Sequence, residues 1–170
     1  MASTYTLISS QVLGSAAASV TFSSIPQTYK DLVIRASLRT DRTAATVDAI
    51  LITLNSDTGT NYSYTSIYGS GSAAGSGSSS VANNAYNPYT DSNTATANTY
   101  GSHEFYIPNY AGNKNKPFSS FNAMETNATA AFIFGIANLY SSTSAISSIS
   151  FAPNGGTNFL STSSFYLYGI

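Results

Sequence analysis

Residues 31 to 39 constrain the fold more than any other stretch. Leu32, Ile34, Ala36 and Leu38 share one parity, and Val33, Arg35, Ser37 and Arg39 share the other. That period of two places alternate side chains on opposite faces of a strand. Comparable short runs follow along the chain, separated by turn formers. No window carries apolar residues at i, i+3, i+4 and i+7 between capping residues. Little or no helix is expected, and without crossover helices a parallel βαβ architecture is excluded. The chain reads as all-β: an antiparallel β-sandwich, with the jelly roll as the favoured topology and other Greek-key orders inseparable from it by periodicity.

Strand signals run over Tyr5 to Leu13, Ser19 to Phe22, residues 31 to 39, Val47 to Leu54, and Tyr62 with Tyr64. They resume over Tyr100 to Ile107, Phe118 to Glu125, Ala130 to Leu139, Ala145 to Phe151 and Leu160 to Ile170. Val47 to Leu54 is apolar on both parities after Asp48, which fits the middle of a covered sheet. The turn formers Asn55 to Asn61 suggest that it makes a hairpin with the Tyr62 strand. Residues 69 to 80 (GSGSAAGSGSSS) are too small and polar to bury anything. With the Asn-rich segment after them they are expected to form one long loop, 69 to 98.

A single domain over residues 1 to 170 has length enough for a real core, since a domain of about 150 residues buries roughly 68–70% of its unfolded surface. The sequence has no cysteine, so disulfides, thiolate metal sites and cysteine nucleophiles are out. Only 8% of residues are charged, against about 25% in an average soluble domain. Polarity comes from Ser, Thr and Asn instead, which suits a β-rich protein that lives in an assembly. A net charge of −1 offers no footprint for nucleic acid. The opening residues lack a basic leader and an apolar run of signal length, so synthesis and folding in a cytoplasm are expected. The run Ala130 to Leu139 is about half the length of a membrane-crossing helix, so no membrane span is expected.

No catalytic constellation is legible. His103 and Glu104 are neighbours on a strand and therefore point to opposite faces. No Gly-x-Ser-x-Gly elbow stands in strand-turn-helix context. Asp31, Asp41, Asp48, Asp57, Asp91, Glu104 and Glu125 are scattered singly, and turn formation accounts for those at strand ends more simply than the paired carboxyls of a glycosidase. Asn55 to Asn61 carries one carboxylate and lacks the bidentate Glu of an EF-hand, so a turn is favoured over a calcium site. No enzyme activity, metal or cofactor is expected. The residues best suited to meet a partner are Arg35 and Arg39, sharing a strand face, and the tyrosines Tyr62, Tyr64, Tyr166 and Tyr168. The arginines can dock an acidic surface or simply solvate a strand. The tyrosines can stack on sugars or form cross-strand pairs.

Four segments bear a resemblance: the opening Met1 to Ser10, the passage from Phe22-Ser23-Ser24-Ile25-Pro26 to Asp31-Leu32-Val33-Ile34-Arg35, the Asn61 to Tyr64 turn, and the closing Phe165 to Ile170. Together they resemble a group of small virion proteins of tailed bacteriophages, over nearly the whole length. The pattern is one of strands and turns, with no residue-level motif. It implies a capsid decoration (cement) protein on the outer capsid surface of the virion, bridging and stabilising subunits of the major capsid protein. The group also implies a homo-oligomer, with a trimer favoured. A tail- or fibre-associated β-domain that binds a host-surface glycan is the alternative within it.

Overall fold

The computed structural model describes residues 4–127 and 130–170; Met1 to Ser3, part of the opening segment quoted above, lie outside them. The described residues form twelve strands and no helix. In chain order these are β1 (Thr6–Val12), β2 (Val20–Phe22), β3 (Leu32–Leu38), β4 (Val47–Leu54), β5 (Tyr62–Gly69) and β6 (Ala74–Ala82). Then come β7 (Ala85–Asp91), β8 (Gly101–Ile107), β9 (Lys116–Glu125), β10 (Ala131–Tyr140), β11 (Ile149–Pro153) and β12 (Ser164–Gly169). An eight-stranded sheet has the order β1-β12-β3-β8-β9-β10-β5-β6, and a four-stranded sheet the order β2-β11-β4-β7. Every neighbouring pair is antiparallel. The protein is thus an all-β, two-sheet sandwich, as the alternating pattern requires.

The chain steps from one sheet to the other at almost every connection. β1 and β2, β3 and β4, and β11 and β12 are consecutive strands in different sheets. Only β5–β6 and β8–β9–β10 stay within the large sheet, and β5 pairs with β10 to set these two groups side by side. The core lies between the sheets, built on alternate residues of β3 (Leu32, Ile34, Leu38), β4 (Ile50, Ile52, Leu54) and β12 (Phe165, Leu167). Phe151 packs at 5.4 Å from Phe165 and 5.6 Å from Phe105, between ring centroids. Burying each such ring or branched side chain contributes about 1.5–3 kcal/mol. β7 crosses beneath β9, β10 and β5 and brings Tyr86 and Tyr89 under their inner faces.

Two sequence expectations need correction. The segment 69 to 98 is not one loop: it holds β6 and β7 joined by a tight turn, followed by turns up to β8. Within it Gly75 makes room for a neighbour, because a Cβ there would stand 2.5 Å from the Tyr68 ring of the adjoining strand. Asn55 to Asn61 is a turn, but β4 and β5 form no hairpin. Both edges of β4 are already taken, by β11 and β7, so the chain crosses to the large sheet. Asp57 organises that crossing by accepting hydrogen bonds from Gly59 N, Asn61 Nδ2 and the Tyr140 hydroxyl.

Candidate functional site

The four-stranded sheet covers only one side of the large sheet, and the outer side of the large sheet is an open face. Strand register places its side chains in rows. One row runs Tyr166, Arg35, Glu104 and on to Phe121, Gly135 and Ile67. On one side of it Tyr168, Val33, Tyr106 and Ser119 align. On the other, Ser164, Ser37 and Ser102 lead to Ala123, Ile133 and Gly69.

The half of this face nearer β12 is polar and aromatic. Arg35 Nε donates to Glu104 Oε2 at 2.9 Å, and both side chains stay largely in water. The Arg35 guanidinium also lies over the Tyr5 ring, 5.5 Å from its centroid, and Tyr5 meets the Tyr168 ring edge-on at 6.0 Å. An exposed pair of this kind contributes about 0–1 kcal/mol to stability, so it matters more as a presented surface than as a brace. Arg35, Glu104 and Tyr166, together with Ser37, Ser102 and Ser164, line a shallow depression of about 390 Å³.

The half nearer β6 is apolar. Ile67, Phe121 and Ile133 stand 68%, 51% and 49% exposed. They surround Gly69 and Gly135 in a trough of about 430 Å³ with no charged residue in its lining. These three are the functional candidates that sequence reading missed.

Of the six residues expected to meet a partner, Arg35, Tyr166 and Tyr168 come together on the outer face. The other three do not. Arg39 lies just beyond the end of β3, buried, and its guanidinium donates to the carbonyls of Thr96 at 2.7 Å, Thr99 at 2.8 Å and Ala95 at 2.9 Å. It shares parity with Arg35 but organises the segment after β7 instead of facing outward. Tyr62 is buried and stacked on Tyr140 at 4.9 Å; its hydroxyl accepts from Leu54 N and donates to Asp57 O, both at 3.0 Å. Burial pushes that hydroxyl far above the usual tyrosine range. Tyr64 stacks on Tyr86 at 4.8 Å, on the side facing β7.

Most of the acid and base groups make structural hydrogen bonds, while His103 Nε2 and Asp91 Oδ2 lie buried without a partner among the described residues. His103 is buried and its Nδ1 accepts from Asn87 Nδ2 at 2.7 Å, while burial pulls the imidazole down to about 3. Neighbouring Glu104 points the other way, into solvent. Asp41 accepts from the backbone and side chains of Thr157 and Asn158; burial works against the charge, but these bonds win and hold the carboxyl at about 2. Asp48 accepts from Gly155 N and Gly156 N, and Asp31 from the Tyr106 hydroxyl and Asn109 N. Asp91 accepts from the Thr99 hydroxyl, and burial raises its pKa. Among the described residues no three His, Asp or Glu side chains converge in an arrangement that could hold a metal ion. Comparison with protein-family models, curated proteins and solved structures finds no match to this chain. The open face of the large sheet is the candidate site, where charged, tyrosine and apolar side chains are presented together.

Proposed function

We propose that this protein is a bacteriophage capsid decoration protein, attached to the outer surface of the head and bridging neighbouring major capsid protein subunits. The observation that carries this reading is the uncovered outer face of the eight-stranded sheet, which ranges ionic, tyrosine and apolar side chains over one broad surface. Such a surface suits a protein interface, where aromatic and arginine anchors carry most of the binding and flat complementarity supplies the rest. Arg35, Tyr166 and Tyr168 are the anchors on the polar half.

The strand order supports the same reading. Setting aside the insertions β5–β6 and β9–β10, β1-β12-β3-β8 faces β2-β11-β4-β7. We take that interleaving as a jelly roll of eight strands, an architecture shared by viral capsid and lectin domains. The insertions then widen one sheet by four strands, half of those behind the open face. Cryo-EM of the particle that encodes this chain tests the proposal. The expected result is density for the sandwich at regular positions on the outer shell; density confined to the tail, or absence from the particle, overturns it.

One observation favours a second reading, a tail- or fibre-associated domain that binds a host-surface glycan. The depression lined by Arg35, Glu104, Tyr166 and three serines offers a ring to stack on and charged groups to pair with hydroxyls. Retention on a glycan array that is lost in Tyr166→Ala supports this reading. An array without hits removes it.

A further inference from the structure

Most non-glycine residues of positive φ in the described chain are Asn or Ser, which tolerate a left-handed backbone, but Tyr89 is a bulky aromatic held at φ 53°. A side chain of that size is strained there, and such strain persists only where the surroundings fix it. The cause is a β-bulge. Asp48 pairs with Thr90 and Ile50 with Asn87, so Ala49 of β4 faces two residues of β7, Pro88 and Tyr89. A bulge bends its strand and re-aims a side chain. Asn122 of β9, fully buried, holds this one from across the sandwich: its Nδ2 donates to the carbonyls of Pro88 at 2.7 Å and Tyr89 at 2.9 Å. The Tyr89 ring then meets Phe132 edge-on at 4.8 Å and Phe134 at 5.3 Å.

That ring lines a half-enclosed cleft of about 340 Å³ between β7 and the inner side of β5, β6 and β10, with Tyr64, Tyr68, Tyr86, Phe132 and Phe134 as its other aromatic walls. Tyr64 and Tyr86 are stacked on each other at 4.8 Å, and Tyr68 packs 5.1 Å from Phe134, so the rings fix one another in place. Gly77 of β6 also lines the cleft. Neither a positive φ nor a crowding neighbour requires glycine there, since a Cβ would meet only the Ser66 hydroxyl, at 3.4 Å. A larger side chain at this position would extend into the cleft beside Ser66. The volume falls at the lower end of the range of small-molecule sites, about 300–1,000 Å³.

The lining combines ring faces with hydroxyls and holds no charged residue. Tyr62, Tyr106 and Tyr140 engage their hydroxyls with Asp57 or Asp31, whereas among the described residues those of Tyr64, Tyr68, Tyr86 and Tyr89 have no hydrogen-bond partner in the protein. Burial pushes the Tyr86 hydroxyl up to about 12, so at neutral pH it is an uncharged donor and acceptor. Ser66, itself buried, makes only a long bond of 3.3 Å to Gly77 O. An aliphatic ligand would leave these hydroxyls unpaired, and an anion would enter without a countercharge. A neutral sugar presents C–H faces that lie against aromatic rings and a rim of hydroxyls that pair with phenols. We propose that this cleft binds an uncharged saccharide of mono- or disaccharide size, stacked on the tyrosine rings and bonded by their hydroxyls. It lies on the inner side of the large sheet, so it is a separate site from the outer face proposed for attachment and from the depression beside Tyr166.

An array of neutral glycans, followed by calorimetric titration of the full chain with the saccharide retained, tests it on the wild type, Gly77→Val, Tyr89→Gly and Tyr166→Ala. Valine suits an exposed strand and fills the cleft. Glycine adopts the left-handed backbone of residue 89 readily and removes the ring. Circular dichroism and thermal melts establish which variants fold. The expected result is a retained neutral saccharide whose affinity falls at least about tenfold in Gly77→Val and in Tyr89→Gly and is unchanged in Tyr166→Ala. An array without hits overturns the proposal, as does binding that either folded cleft variant leaves intact. Binding lost in Tyr166→Ala alone also overturns it, by placing the sugar in the outer depression. A parallel titration with tetramethylammonium covers the remaining ligand of aromatic cages: binding of that cation, lost in Gly77→Val and with no saccharide bound, gives the cleft to a cation instead.

Discussion

His103 is the single histidine of the chain, and it lies wholly inside the sandwich. In an unfolded chain its imidazole takes a proton near pH 6.5, about the usual value. In the fold, burial keeps it neutral down to about pH 3. Between those limits the unfolded state binds the extra proton, so stability is full above about pH 6.5 and falls with pH by up to about 1.4 kcal/mol per unit. Asp41, held at about 2, acts in the same direction but only below the ordinary carboxylate range. The raised Asp91 opposes both, since its folded form gains a proton more readily than its unfolded form. From pH 6.5 to 5 the histidine lowers stability as the pH falls, and Asp91 works against it. Urea denaturation across that interval is expected to show a falling midpoint in the wild type and a nearly flat one in His103→Asn. The slope is the readout, because the variant also changes the bond to Asn87 and with it the absolute stability. Equal wild-type midpoints at pH 6.5 and 5 would contradict the burial of this residue.

The β5–β6 hairpin shows how an element can form without a hydrophobic pattern of its own. β6 reads AGSGSSSVA and is almost entirely exposed, yet it pairs along the whole of β5. The Tyr68 ring lies across Gly75 and packs 5.1 Å from Phe134 and 6.4 Å from Phe132. Gly75→Val drives a side chain into that ring, and overpacking of this kind costs about 1–3 kcal/mol. The expected outcome is loss of amide-exchange protection in β6 first, with β3 and β12 still protected; unchanged protection in β6 would refute the contact. Residues 69 to 80 read as a loop because they are small and polar, without period or hydrophobicity, whereas in the fold β6 pairs with β5 and its Gly75 lies against the Tyr68 ring. The strands of the central sandwich carry their own signal: Val47 to Leu54 has the bounds of β4, and the alternation of 31 to 39 yields β3. The site was half legible for a related reason. Arg35, Tyr166 and Tyr168 announce themselves as charged or amphipathic strand residues. In β10, AFIFGIANLY, both parities are apolar, so only the position of β7 decides that Phe134 turns inward and Ile133 outward. Arg39 and Tyr62 misled because parity names a face, but the segments that bury these residues lie far along the chain or across the sandwich.

At the level of the whole molecule, the interleaved strand order makes the two ends of the chain unequal partners. β1 is an edge strand, mostly exposed, that contributes the partly buried Ile8 and is followed by Leu13 against the core. β12 is inserted between β1 and β3, its Phe165 and Leu167 have no exposed surface, and Ile170 exchanges backbone bonds with Lys30 and Asp31. Removing β12 leaves β3 unpaired on one side and opens the core, where losing a single buried Phe costs about 3–5 kcal/mol. Domains of this size hold only about 5–15 kcal/mol in all. Deleting residues 164 to 170 is therefore expected to abolish the cooperative urea transition. Deleting residues 1 to 13 removes one edge and two half-buried side chains, a loss of about 2–4 kcal/mol. A single transition should survive at a lower midpoint, with a slightly smaller denaturant slope because less surface is exposed on unfolding. Tyrosine fluorescence and far-ultraviolet circular dichroism, followed together on both truncations, make the comparison. A sharp transition without β12, or none without β1, would mean that the sandwich is closed by strands other than those the register assigns.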